Sequence, residues 1–124
     1  MITILLVEDN EMNRDMLSRR LVRRGFKVEI ATDGGQGVTM ASTASPDLIL
    51  MDMSLPVLDG WEATRRIKAD PGTRHIPVIA LSANVNPSVI RRGLDAGFLH
   101  YLAKPLDISL FLRVVVEMCS RPPA

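Results

Sequence analysis

Five polar side chains stand where apolar runs break off. Glu8 and Asp9 follow Ile4-Leu5-Leu6-Val7, Asp52 closes Leu48-Ile49-Leu50-Met51, Ser82 follows Pro77-Val78-Ile79-Ala80-Leu81, and Lys104 follows His100-Tyr101-Leu102-Ala103. If those runs are parallel strands of one sheet, their carboxyl ends share an edge and the five side chains converge there. Three carboxylates so placed repel one another, which raises their pKa values unless a cation sits among them. With oxygen ligands only and no His or Cys nearby, the cation is a hard one. Mg2+ suits a site with few carboxylates and positions open to water and phosphate. Lys104 adds further positive charge. A carboxylate nucleophile beside Mg2+, an ammonium and a hydroxyl is the equipment for phosphoryl transfer: the cations offset charge on the phosphoryl oxygens while Asp52 attacks phosphorus in line, giving an aspartyl phosphate.

Taken singly, each group has a plainer use. Asp52 can cap the next helix, Glu8 and Asp9 can complement a helix dipole, Ser82 can sit in a turn, and Lys104 can be a solvated lysine. Suitable residues at four separate strand ends favour a working site over four coincidences. His75 and His100 are each isolated and receive no direct role.

The elements that must carry these groups are legible from apolar spacing and breakers. Ile4–Val7 reads as a strand buried on both faces, and Leu48–Asp52 as another, ended by Pro56 and the Asp59-Gly60 pair. Met12, Met16, Leu17, Leu21 and Val22 recur at helical spacing between a cap at Asn10 and a stop at Gly25. Lys27–Ala31 alternates and makes a second strand; Gly34–Thr43 is a helix in spite of three glycines near its start. Gly60–Ala69 is a helix capped by Asp59, with a thin apolar face of Trp61, Ala63 and Ile67. Pro77–Leu81 is the fourth strand, Pro87–Ala96 a helix opened by proline and closed by Gly97, His100–Ala103 the fifth strand and Asp107–Cys119 the last helix. Five strands alternating with five helices through short connections make a doubly wound α/β domain with a parallel sheet.

The chain's 124 residues fit one domain, expected over 1–120, with Arg121-Pro122-Pro123-Ala124 as a C-terminal tail. A net charge of +1, with the basic residues scattered in pairs, argues against nucleic acid as a direct partner. The single Cys119 cannot form an internal disulfide, which fits a reducing cytoplasm. The apolar opening lacks a basic lead and meets Glu8-Asp9 too soon for a signal peptide, and no run approaches membrane-spanning length.

Glu8-Asp9, Asp52, the Pro56-x-x-Asp59-Gly60 loop, Ser82-Ala83 and Tyr101-x-x-Lys104-Pro105 together resemble the receiver domain of two-component response regulators, over essentially the whole chain. The resemblance implies a flavodoxin-like fold with strand order 2-1-3-4-5, taking phosphate from a histidine kinase or phosphotransfer protein with Mg2+. It implies Asp52 as phosphoacceptor. Asp9, Asp52 and the backbone carbonyl of Ser54 would bind the metal, with Glu8 assisting through water. Ser82 would hydrogen-bond a phosphoryl oxygen, Lys104 would pair with it, and Tyr101 would be the aromatic switch that swings inward. A cis Lys104-Pro105 bond is implied as well. Ser82 stands where threonine is frequent, keeping the hydroxyl and losing the methyl, and Phe98-Leu99-His100 makes that corner more apolar than usual. The opening Val7-Glu8-Asp9-Asn10-Glu11-Met12-Asn13 resembles receivers of hybrid kinases and single-domain regulators more than those fused to DNA-binding domains.

Three rivals fare worse. An aspartate-nucleophile phosphatase resembles Asp-x-Asp, with the second Asp as general acid, but Ser54 stands there. Flavodoxin-like electron transfer needs a hydroxyl- and glycine-rich loop after the first strand, where Glu8-Asp9 would repel an anion. A phosphorylation-independent scaffold would not need the intact Asp52 and Lys104. The last helix adds an expectation about partners: ten of the fourteen residues Leu106–Cys119 are apolar, more than a helix on a sheet needs. An exposed apolar patch is expected there, on the face of the fourth helix, fifth strand and fifth helix, rimmed by Arg91, Arg92, His100 and Asp107, to meet a downstream protein or a second copy of this chain.

Overall fold

The computed structural model describes residues 1–83 and 86–120. The expected tail at 121–124 lies outside the described residues. Five parallel strands, β1 (Thr3–Val7), β2 (Lys27–Ala31), β3 (Leu48–Asp52), β4 (Val78–Ser82) and β5 (His100–Ala103), form one sheet in the order β2-β1-β3-β4-β5. Strands β3 and β4 are buried at every position, and β1 at all but its first, which is why they read as unbroken apolar runs. The edge strands β2 and β5 are only partly covered, and their polar residues sit there. The fourth strand starts one residue later than its apolar run, because Pro77 has no N–H to give the ladder. It ends one residue later too, with Ser82 paired to Ala103.

The helices are α1 (Glu11–Arg23), α2 (Gly34–Thr43), α3 (Gly60–Ala69), α4 (Pro87–Ala96) and α5 (Ile108–Ser120). Each of the first four begins on a side-chain cap: Asn10 accepts from the Asn13 N–H at 2.9 Å, Asp33 from Gln36 at 2.8 Å, Asp59 from Glu62 at 2.9 Å and Asn86 from Val89 at 3.0 Å. Two helix ends turn through left-handed glycines, Gly25 (φ 90°) and Gly97 (φ 109°). Helices α2, α3 and α4 cover one face of the sheet and α1 and α5 the other.

Two sequence expectations change on that second face. Met12 and Val22 are not part of the buried stripe of α1 but are 81% and 58% exposed. Leu17 and Leu21, one turn apart, define the stripe, and at helical periodicity Met12 falls on the opposite side. Because α1 supplies so little, α5 must cover most of that face: Phe111, Leu112, Val114 and Val115 are all buried, and Ile108, Met118 and Cys119 pack against the same core. The apolar surplus of α5 is thus consumed inside. Leu110 alone of its large apolar side chains counts as exposed, at 41%, so the expected apolar patch is absent from the described part of this helix.

Candidate functional site: an acidic mouth at the strand ends

Parallel pairing brings Val7 level with Met51 and Asp52 level with Leu81, so the residues just beyond β1, β3, β4 and β5 meet at one edge. Glu8 and Asp52 are buried there, whereas Asp9 is exposed. One oxygen from each of these three carboxylates lies within 4.8 Å of the others. The Lys104 ammonium reaches into the cluster, 2.9 Å from Asp52 Oδ1 and 3.9 Å from Glu8 Oε1. The backbone N–H of Ser54 donates to the same Asp52 Oδ1 at 3.1 Å. Ser82 is buried one residue beyond the partner of Asp52, and its carbonyl accepts the Lys104 N–H at 2.8 Å, tying the hydroxyl-bearing and ammonium-bearing strand ends together. The Lys104-Pro105 bond is cis, as the family resemblance implies.

Close approaches of glycine shape the loop after Asp52. A Cβ on Gly60 would stand 2.6 Å from the Asp52 carbonyl oxygen and 2.8 Å from Met53 Cα, and one on Gly34 would stand 1.8 Å from the Leu58 carbonyl oxygen. The loop therefore runs against the starts of α2 and α3 with no room for side chains at those two positions. Within it, Val57 holds φ 67° while 88% exposed, and the Leu58 N–H donates to the Pro56 carbonyl at 2.7 Å. Sequence reading missed Arg14, whose guanidinium donates to the carbonyls of Glu8 (3.3 Å) and Asp9 (3.1 Å) and pins the loop that presents both acids. Nothing in the local pattern distinguishes Arg14 from the other arginines of α1.

The electrostatics follow from burial. Desolvation pushes the Glu8 carboxyl up to about 7, and its hydrogen bond and charge repulsion with Asp52 push the same way, against the attraction of Lys104. Burial also works against ionising Asp52, but hydrogen bonds with Glu8, Lys104 and the Ser54 N–H outweigh it and hold this carboxyl below its ordinary value. The pair therefore keeps its negative charge on Asp52. Glu8 Oε2 is buried with no hydrogen-bond partner among the described residues. An orphaned carboxylate oxygen inside an all-oxygen cluster fits a hard divalent cation such as Mg2+, which would supply the missing contact and relieve the repulsion.

Tyr101 stands apart from this cluster. Its ring packs among Trp61, Phe98 and α4, with its hydroxyl enclosed rather than in water. Arg92, expected at the rim of the last helix's face, instead lies over the Trp61 ring at 4.7 Å. His100 Nδ1 accepts the neighbouring Tyr101 N–H at 3.0 Å, a local bond away from the acids.

An open parallel sheet whose carboxyl edge gathers three carboxylates, a lysine and a serine defines a doubly wound domain with a cluster that could hold a hard cation. The chain belongs to the family of response regulator receiver domains, which it matches over residues 4–116. It is 40% identical to the receiver domain of a sensor histidine kinase from Pseudomonas aeruginosa PAO1, with 97% of this chain and 98% of that one covered and a TM-score of 0.87. That structure carries a magnesium ion coordinated in its active-site cleft. The response regulator PleD of Caulobacter vibrioides is 39% identical over 112 residues, which are 90% of this chain and 25% of the relative. The polar-differentiation response regulator DivK of Brucella anthropi is 33% identical, over 91% of this chain and 92% of its own length. The chain thus spans about a quarter of the PleD relative and nearly all of the DivK relative. It is a receiver domain of two-component signalling with the flavodoxin-like fold, and receivers of this kind are signalling switches. Among the described residues no helix is long and apolar enough to cross a membrane.

Proposed function

We propose that Asp52 is the phosphoacceptor of a cytoplasmic phosphorelay, taking its phosphoryl group from a phosphohistidine on a histidine kinase or phosphotransfer protein. The observation that carries the reading is the Lys104 ammonium 2.9 Å from an Asp52 carboxylate that also lies within 4.8 Å of Glu8 and Asp9. An Asp52 oxygen forms the bond to phosphorus as the phosphorus–nitrogen bond to the donor imidazole breaks, and the nitrogen leaves with the electron pair. Asp9, Asp52 and the Ser54 carbonyl would hold Mg2+, with Glu8 assisting through water. Bound there, the ion offsets charge on the phosphoryl oxygens. Lys104 then exchanges its carboxylate partner for a phosphoryl oxygen, and Ser82 donates its hydroxyl to another.

Its hydrogen bonds keep the Asp52 carboxyl below its ordinary value in spite of burial, so the proposed nucleophile is ionised at neutral pH although it is buried. Tyr101 is the switch residue, and the output is a change in affinity for a downstream protein or a second copy of this chain through the α4–β5–α5 face, without direct contact to nucleic acid or membrane. With Mg2+ and acetyl phosphate, the intact mass should rise by one phosphoryl group, lost on hydroxylamine treatment. A mass that stays unchanged in Mg2+, with both small phosphodonors and a cognate kinase, would refute the reading.

A further inference from the structure

Gly93 lies inside α4, where glycine weakens a helix relative to alanine, and it is buried. Its use is visible across the gap to β5. A Cβ built on Gly93 would stand 2.3 Å from Tyr101 Cε2 and 2.9 Å from Cδ2, inside the contact distance of carbon atoms. The tyrosine ring occupies the place of the missing methyl. Phe98 meets that ring edge-on at 5.7 Å, Trp61 lies 6.2 Å away, and Arg92 caps Trp61 from α4. The phenol hydroxyl is enclosed with no hydrogen-bond partner among the described residues, and burial pushes its pKa up, offset only in part by Arg92. A partnerless hydroxyl opposes this position, while steric room and the aromatic contacts favour it.

We infer that Gly93 is the positioning residue of the Tyr101 ring: the socket left by its missing side chain holds Tyr101 inward whether or not Asp52 carries a phosphoryl group. The inference rests on the role proposed above for Asp52 and narrows the one proposed for Tyr101, whose ring becomes a fixed part of the switch surface and not its moving part. Its consequence is that the α4–β5 face offers a partner one shape at this corner in both states, and that little of the coupling from phosphorylation to that face runs through rotation of this ring.

The chain has one tyrosine and one tryptophan, so 3-fluorotyrosine labelling gives a single fluorine resonance that reports on Tyr101 alone. In Mg2+ that resonance should show no H2O/D2O isotope shift and should stay in place on adding beryllofluoride, while Gly93→Ala moves it to a solvent-exposed position. Melting temperatures supply the readout that a merely structural glycine would not give. Gly93→Ala should lower the melting temperature with Tyr101 present and raise it in a Tyr101→Ala background, where the better helix former no longer collides. Tyr101→Phe, which removes only the partnerless hydroxyl, should raise it. If Gly93→Ala alone fails to fold, recovery of folding by Tyr101→Ala supports the socket, and failure of both variants overturns it. A wild-type resonance that moves with beryllofluoride as far as in Gly93→Ala, or a Gly93→Ala penalty equal in both backgrounds, also overturns it. Phosphoryl uptake by Asp52 is followed separately by intact mass, so loss of that reading and loss of this one are distinguishable.

Discussion

The two ends of the sheet treat their polar groups in opposite ways. At the amino-terminal edge, Asp47 accepts the Thr3 N–H and gives its own N–H to the Thr3 carbonyl, both at 2.8 Å. Nearby, Lys68 Nζ donates to the carbonyls of Ile76 (2.6 Å) and Arg74 (3.1 Å), its stem lies against Gly97, and the buried Thr73 hydroxyl donates to the Ile67 carbonyl at 2.7 Å. At the carboxyl-terminal edge, two buried acids share one lysine, a carboxylate oxygen has no hydrogen-bond partner among the described residues, and a β-branched residue holds a left-handed backbone. Satisfied polar groups hold a fold together, and unsatisfied ones are tolerated where a ligand completes them. The contrast locates the chemistry without reference to any relative.

The sharpest test removes the nucleophile. Asp52→Asn is nearly isosteric, so the fold should survive while phosphoryl incorporation falls to nothing by intact mass; continued labelling would place the acceptor elsewhere. Next is the Glu8 carboxyl. Its folded value of about 7 lies above its ordinary 4.5, so ionising it opposes folding: its contribution is fully present below pH 4.5 and is lost as pH rises through 7. Without metal, stability should fall over that window by at most about 3 kcal/mol, the free-energy equivalent of the shift. Asp52 has the opposite sign, but its lowered pKa places its window below pH 3.8. Glu8→Gln should flatten the slope, and Mg2+ should stabilise the wild type more at pH 8 than at pH 6, where protons compete with it. Thermal melts across pH, with and without Mg2+, read both, and equal stabilisation at the two pH values would remove Glu8 from the ion's surroundings.

A perturbation of the satisfied end should behave differently. Lys68→Ala leaves two carbonyls without their charged donor and should cost about 2 kcal/mol in urea unfolding, with no change in phosphorylation rate. A slowed reaction would show that the two ends are coupled. The smallest effect should come from Val57→Gly, which relieves the left-handed strain at φ 67°. Set against the larger unfolded-state entropy of glycine, the gain is about 1 kcal/mol. A loss of stability would mean that the valine side chain makes a contact worth more than its strain.

Much of this was written in local patterns. Asn10 and Asp59 cap their helices as side-chain oxygens placed three residues before a free N–H, and Gly25 and Gly97 end theirs because only glycine turns left-handed without a clash. Unbroken apolar runs marked the central strands, so the groups following those runs, Glu8, Asp9, Asp52 and Ser82, were identifiable before their distances were known, and Lys104 stood at the end of the short edge strand β5. Sequence alone therefore determined the elements, their order and the composition of the acidic mouth, because each is decided within a few residues. Only the tertiary structure decided that Lys104 bonds Asp52 rather than Glu8, that Arg14 pins the Glu8-Asp9 backbone, that α5 spends its apolar surplus in the core while Met12 stays outside, and that Gly93 makes room for Tyr101. Each of these depends on two segments far apart in the chain arriving at one place, and one-dimensional spacing carries no measure of the gap that remains between them.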